Sequence, residues 1–393
     1  MVVSNVGSQM QIVGQGWLVR DLSAAPVALG LVSLASAVPM VFLTPIGGGI
    51  ADRFPRRRLL ACTQIGMLLQ ALALAALTLS GHIQLWQIVV LAALNSVLLA
   101  VDNPTRQALL PDLVSREQLQ SAVSLNSAVW SGAALLGPAL GGMLLAPLSP
   151  GGLFVVNALS YLAVLYALRA LTGISDRPST RPDPVLAGVL NGLRYARRDE
   201  LTRTVLLLLV VGSVFGRSYQ TLMPIFARDV LEVGPQGYGL LLAAPGAGAI
   251  LGAFGLAAMK SIRRIDVVML SAMAAFGILV LVFSLTRGFG LELGWLLLIG
   301  GSSTLFTACG STLLQLHSPR ALRGRVMSLA TVANIGMSQV GGMLSALAAT
   351  AVGAPVAVGG GAMLALAIAL LVGMSRGSWR SQAASLQTAP ADA

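Results

Sequence analysis

Apolar runs of about 20 residues recur along this 393-residue chain, a length that matches ~30 Å of hydrocarbon at ~1.5 Å of rise per helical residue. Such runs are too long for buried strands. Only 10% of the residues are charged, against about 25% in ordinary soluble domains, so a soluble surface of ordinary composition cannot be assembled from them. In lipid every backbone group must find its partner within its own segment, and a barrel would show alternating strands of about ten residues instead. The chain is therefore expected to be an all-α, multi-pass membrane protein.

Taking Gly, Pro and charged residues as punctuation gives twelve spans, near 2–21, 27–50, 58–80, 85–109, 119–146, 151–172, 203–227, 237–259, 266–286, 293–316, 325–350 and 354–375. The charged and proline-rich stretch between the sixth and seventh runs divides them. This predicts an N-terminal six-helix bundle (1–172), a cytoplasmic linker (173–202), a C-terminal six-helix bundle (203–376) and a disordered cytoplasmic tail (377–393). The first span opens at the second residue, which leaves room for a short cytoplasmic leader upstream of Met1. Gly141–Gly142–Met143–Leu144 recurs as Gly341–Gly342–Met343–Leu344, and the segment Arg116–Leu125 echoes Arg320–Leu329. Two parallel six-helix repeats place a ligand site at their interface, near the bilayer midplane.

The loop Ala51–Arg58 holds Arg53, Arg56, Arg57 and Arg58 between two apolar runs, so it must sit in water. Of the 25 basic residues, 21 fall in loops on that same side, and only Arg20, Arg228 and Arg287 fall on the other. The positive-inside rule makes the crowded side cytoplasmic, with both termini there. The net charge of +11 thus has a topological explanation, and no nucleic-acid partner is expected. Asp21 closes the first span near the outer surface, while Arg228, Asp229, Glu232, Arg287 and Glu292 are expected in solvated outer loops.

Gly48–x–x–x–Asp52–Arg53–x–x–Arg56–Arg57 follows the second span, Asp102–Asn103–Pro104–x–Arg106–Gln107 ends the fourth, and Gly324–Arg325–Val326–Met327–Ser328 opens the eleventh. Together with Gly137–Pro138–x–x–Gly141–Gly142 in the fifth, these resemble the signatures of the major facilitator superfamily, in its drug and siderophore exporter branch. The departures are Pro55 and Ala133, each where the family's pattern prefers glycine. The resemblance implies a twelve-helix transporter of two pseudo-symmetric halves. It also implies that Gly137, Pro138, Gly141 and Gly142 form an antiporter-type motif, and that Arg56 pairs with Asp102. At the inner membrane boundary the Asp52 carboxylate can accept from free N–H groups at the start of the eleventh span, near Arg325, and so latch the halves together. Asp21, Asp52 and Asp102 are the candidate proton carriers.

In this fold spans one, four, seven and ten line the cavity, and each carries a polar stripe at helical spacing. These are Ser4, Ser8, Gln11 and Gln15; Asn95, Asp102 and Arg106; Ser213, Arg217 and Gln220; and Thr304, Thr307 and Ser311. In hydrocarbon such stripes suit either a shared wet cavity or bonding between helices. Arg217 is a permanent cation at mid-span, suited to an anionic group or to a carboxylate on another helix. Cys62 and Cys309 lack metal-ligand or disulfide spacing and are expected to be packing residues. His317 is expected in a solvated loop. No phosphate-binding Gly-x-x-x-x-Gly-Lys motif or catalytic cluster is present in the sequence, so neither an enzyme nor a cofactor is expected.

The function implied is secondary active export of an amphipathic small molecule, a drug, macrolide or siderophore, by proton antiport across a bacterial inner membrane. The chain would act there as a monomer. Import of a small nutrient or metabolite is the alternative.

Overall fold

A computed structural model describes residues 2–110, 113–115, 117–170, 185–258, 264–319, 322–374, 379 and 382. The first half contains α1 (Val2–Leu22), α2 (Pro26–Arg53), α3 (Arg56–Leu79), α4 (Leu85–Leu109) and α5 (Leu119–Ala170). At 52 residues α5 is two spans in one: it breaks at Ser149 (φ 59°, ψ 170°), between Pro147 and Pro150. A non-glycine residue rarely occupies that backbone region, and flanking prolines cannot complete the helical ladder there.

In the second half, span seven is built from α7 (Glu200–Val211), a π turn (Gly212–Gly216), α8 (Tyr219–Ile225) and a second π turn (Phe226–Val230). Then come α9 (Pro235–Ala258), α10 (Ile265–Leu285) and α11 (Phe289–His317). Span eleven is α12 (Arg323–Thr331), a π turn (Val332–Gly336) and α13 (Met337–Val352), and span twelve is α14 (Ala354–Met374). Ten described stretches are long and apolar enough to cross a membrane. One of them contains both limbs of α5, and α1 falls short in hydropathy because of Gln9, Gln11 and Gln15, so the twelve expected crossings are present.

Local chemistry sets the boundaries. Pro26 starts α2, where its missing N–H costs nothing, and the Asp199 carboxylate caps α7 by accepting from the Thr202 N–H at 2.8 Å. Gly353, at φ 83°, makes the sharp turn between α13 and α14 that a side chain would resist.

The halves meet along two seams, α5 against α9 and α2 against α13. One apolar cluster runs through both halves, joining Leu153 and Phe154 of α5 to Phe226, Phe276 and Phe283 of the second half. Another, around Leu208, Met269, Phe306 and Leu313, belongs to the second half alone.

Within the predicted linker, residues 173–184 lie outside the described residues. The remainder holds an unexpected helix, α6 (Val185–Arg198), packed on α2 and α12. Its Leu190 and Leu193 are exposed beside Arg194, Arg197 and Arg198. In the predicted tail the Trp379 ring is buried with the second-half cluster; the rest, Gln382 apart, lies outside the described residues.

Candidate functional site

A cavity of about 450 Å³ lies between the halves. From α1 it is lined by Gln9, Ile12, Gln15, Gly16 and Val19, and from α2 by Leu29, Val32, Ser33 and Ser36. Facing them are Arg217, Gln220, Thr221, Tyr238, Ser338 and Gln339, with Ser303 and Thr304 from α11. Pro138, from the glycine-rich motif of α5, also reaches it. The wall is therefore mixed: amides, hydroxyls and one guanidinium set among aliphatic side chains.

Of the predicted cavity residues, Gln15, Arg217, Gln220 and Thr304 line this space, and the others do not. Gln11 is buried inside the first bundle, where its carbonyl accepts from Asn157 at 2.6 Å and its amide donates to Gln70 at 3.4 Å. Ser8 shares a hydrogen bond with the Tyr161 hydroxyl at 3.1 Å. Ser8 and Gln11 of the α1 stripe thus face the second limb of α5 as interhelical bonding, while Gln15 and the adjoining Gln9 turn to the cavity. The Asn95 carbonyl is buried with no partner among the described residues, and Thr307 donates to the Ser303 carbonyl of its own helix at 2.9 Å. Ser213 lies behind the wall, 3.5 Å from the Asn334 carbonyl.

Arg217 follows the first π turn of span seven, and Asn334 sits in the π turn of span eleven. The Arg217 guanidinium donates to the Asn334 amide oxygen at 2.8 Å. Two local departures from α-helical register thus face each other across the wall of the cavity. Such π bulges concentrate at functional sites, where they re-aim side chains.

On the arginine-poor face the ends of spans one and seven are joined by reciprocal ion pairs. Arg20 donates to Asp229 at 2.6 Å, Arg228 pairs with Asp21, and the Arg228 guanidinium lies 5.8 Å from the Trp17 ring centre. Both pairs connect one half to the other, one residue beyond Val19 in the cavity wall. Arg228 and Asp229 are solvent-exposed as expected, but they lie in the second π turn of span seven rather than in a loop and are paired across the halves. The expectation of a solvated outer loop is corrected for Glu292, which is fully buried in the first turn of α11. One Glu292 oxygen accepts from the Thr286 hydroxyl at 3.1 Å, and the other has no partner among the described residues.

On the arginine-rich face Asp102 is buried and fully engaged. One oxygen accepts from Thr63 and Gln64, each at 2.8 Å, and the other from Arg106 at 2.8 and 3.1 Å. The implied Arg56–Asp102 pair is replaced by this arrangement, because Arg106 sits one turn away on the same helix and reaches the carboxylate with less chain to order. Arg56 instead donates to the Ala108 carbonyl at 2.8 Å, where the end of α4 offers unsatisfied acceptors. Arg57 donates to the Arg169 carbonyl at 3.2 Å, and Arg53 is exposed. α2 reaches α12 and its π turn at this face, but the surroundings of Gly48 and of the Asp52 carboxylate lie outside the described residues. Arg325, the expected neighbour of Asp52, is packed beside Gly192 of α6.

Also on this face, burial pushes the Asp199 carboxyl up, but hydrogen bonds from His317 and Thr202 outweigh it and hold the group below its ordinary value. The Asp199–His317 contact of 3.0 Å ties the start of α7 to the end of α11, which corrects the solvated-loop expectation for His317. Cys309 is buried as expected, whereas Cys62 is exposed.

The glycine motif of α5 has two separate uses. A Cβ at Gly141 would meet Val13 at 3.1 Å, and one at Gly137 would press on Val6 and Gln9, so these two seat α1. A Cβ at Gly142 would lie 2.5 Å from the Gly239 Cα and 2.7 Å from the Pro235 carbonyl, so this residue sets the seam between the halves. In the repeat, Gly341 seats the backbone of Val214 in span seven as Gly141 seats span one. Gly342 faces Thr221 and, across the seam, Ser33.

Several residues escaped the sequence reading. Gln9 and Gln339 had helical spacing as their only signal, and Asn157 and Asn334 had only their polarity within apolar runs.

Comparison with known proteins agrees with this architecture. A family model described as transmembrane secretion effector matches residues 1–390. The multidrug efflux pump Tap of Mycolicibacterium fortuitum is 27% identical over 341 residues, covering 84% of this chain and 82% of that one. The staphyloferrin A transporter of Staphylococcus aureus is 28% identical over 279 residues, covering 70% of each. Among solved structures, the peptide transporter POT in complex with sulfate superposes with a TM-score of 0.75 at 13% identity, covering 98% of this chain and 94% of that one, which speaks to fold alone. With twelve crossings in two matched halves around a shared cavity, and a family model spanning nearly its whole length, the chain belongs to the transmembrane secretion effector family of major facilitator transporters, and is a multi-pass membrane transporter, not an enzyme.

Proposed function

We propose that this protein exports amphipathic small molecules by alternating access, with proton entry driving their exit. In this reading it is a monomer in a bacterial inner membrane, the arginine-rich face and both termini are cytoplasmic, residues 1–172 and 203–376 are the two moving bodies, and 173–202 links them. The observation that carries the reading is a mixed polar and apolar cavity at the seam of the halves, just beneath reciprocal inter-half ion pairs on the arginine-poor face. Ion pairs placed there can break and re-form as one mouth opens, and a ligand shifts that balance only by binding one state better than the other. The relative named as a multidrug efflux pump supports export over import.

For coupling, Glu292 joins Asp21, Asp52 and Asp102 as a candidate. It is a carboxyl buried in a span, with one oxygen unpartnered among the described residues, and titratable groups so placed mark proton pathways. Asp102, held on both oxygens, serves a structural role better. The Asp52 latch to the eleventh span remains part of the proposal.

Purified full-length protein in liposomes, given an imposed pH step and a panel of dyes, macrolides and siderophores, tests the reading directly. Export should accelerate when protons can flow inward against the cargo. Flux indifferent to the gradient would remove antiport, and uptake in the wrong direction in everted vesicles would favour the importer alternative. Glu292→Gln keeps the shape and an acceptor for Thr286, so it should fold normally and lose the acceleration by the pH step. An unchanged response would place the proton elsewhere.

A further inference from the structure

The Arg217 guanidinium is the one charged side chain among the described residues lining the cavity, and no lining residue is acidic. It sits near the middle of the span Glu200–Val230, as far from either aqueous face as this helix allows. An arginine does not shed its proton, and a cation at that depth is ordinarily paired with an anion. Here its protein partner is the neutral Asn334 amide, which takes one of five N–H donors and leaves the charge uncompensated. No carboxylate among the described residues is bonded to it; the nearest acids described on its own span, Glu200 and Asp229, lie at the span's ends.

We infer that the cavity selects cargo bearing a carboxylate or a similar planar oxyanion, which docks on the free edge of the Arg217 guanidinium. This rests on the export reading and narrows its substrate class to amphipathic anions. The surroundings fit such a molecule. Gln220 and Gln339 offer neutral donors in the same cavity, while Ile12, Leu29, Val32 and Leu242 supply an apolar wall for the body of the cargo. The π turns at Gly212–Gly216 and Val332–Gly336 are the local devices that bring the guanidinium and its amide support to this wall. A planar fork against a planar oxyanion makes two parallel charge-assisted bonds, and burial away from bulk water strengthens both.

The test uses full-length protein in nanodiscs, titrated by fluorescence with dansyl-leucine and with its methyl ester, which differ by one negative charge. Wild type should favour the carboxylate by about tenfold or more, the scale of a charge-assisted hydrogen bond. The preference should collapse in Arg217→Gln. It should collapse equally in Asn334→Asp, which leaves the arginine in place but hands it a fixed carboxylate, so the inference stays testable if Arg217→Gln does not fold. Equal affinity for the two probes in wild type, tighter binding of the ester, or a preference that survives either folded variant overturns the inference. Export of an uncharged dye from liposomes, driven by a pH step, separates the two readings. Dye export without a carboxylate preference overturns the anion inference alone, and a carboxylate preference without export of either probe or dye overturns the export reading alone.

Discussion

Asp102 accepts four hydrogen bonds while almost wholly buried, and Arg106, its partner, is largely buried as well. Removing one member of a buried pair leaves the other charge uncompensated, which costs on the order of 3 kcal/mol. Asp102→Asn should therefore lower the unfolding midpoint in detergent and reduce membrane abundance; an unshifted midpoint would show that Arg106 finds another acceptor. Its burial was legible in the sequence, since a carboxylate within a span must be paired, but its partner was not. The family resemblance implied Arg56, and the choice fell instead to reach: Arg106 lies one helical turn away, whereas Arg56 is drawn to the carbonyl terminus of α4.

At the scale of elements, glycines decide how closely helices approach. A side chain at Gly142 would strike the backbone of α9, while a Cβ at Gly132 on the same limb of α5 meets nothing within 4 Å. Gly142→Val should cost about 3 kcal/mol through overpacking and separate the halves, with Gly132→Val as a near-silent control in the same thermal assay. The α7–α11 junction behaves differently, because it depends on charge. Asp199→Ala should remove a helix cap of about 1 kcal/mol, read out as faster amide exchange at the start of α7. Because the folded-state value of Asp199 is depressed below its ordinary 3.8, its contribution is whole above that value and is lost as pH falls through the lower folded value. Acid titration of wild type against Asp199→Ala should show the difference closing only on that acid side. The glycine pattern was visible in the sequence as a motif and a repeat. That Gly137 and Gly141 serve one neighbour and Gly142 another depended on which helices docked where.

For the whole molecule, the ion pairs on the arginine-poor face bridge the halves and lie beyond the cavity, so in the proposed alternating-access cycle they would bias which mouth is open. Exposed pairs contribute little singly, and a shift of about 1 kcal/mol corresponds to roughly a fivefold change in population. Asp229→Arg should set three arginines against Asp21 and shift the halves apart at that face, measured as a longer distance between spin labels at Ser23 and Glu232. Arg20→Asp combined with Asp229→Arg should restore the shorter distance; failure of the swap would make the pairs incidental to opening.

The sequence alone determined the number of crossings, the two-fold repetition and the concentration of arginines on one face. Each follows from local quantities, namely run length against hydrocarbon thickness and charge in the connecting loops. Tertiary structure decided what the polar residues do. Gln11 and Gln15 are one turn apart, yet the first is bonded within a bundle and the second lines the cavity, because α1 is enclosed on one flank by α5 and open to the seam on the other. Span seven departs from α-helical register at two π turns, so a period of about 3.6 residues could not place Arg217 against Asn334. Helical periodicity describes one helix in isolation, whereas a site between two bundles depends on how each helix is rotated and interrupted once its neighbours have packed.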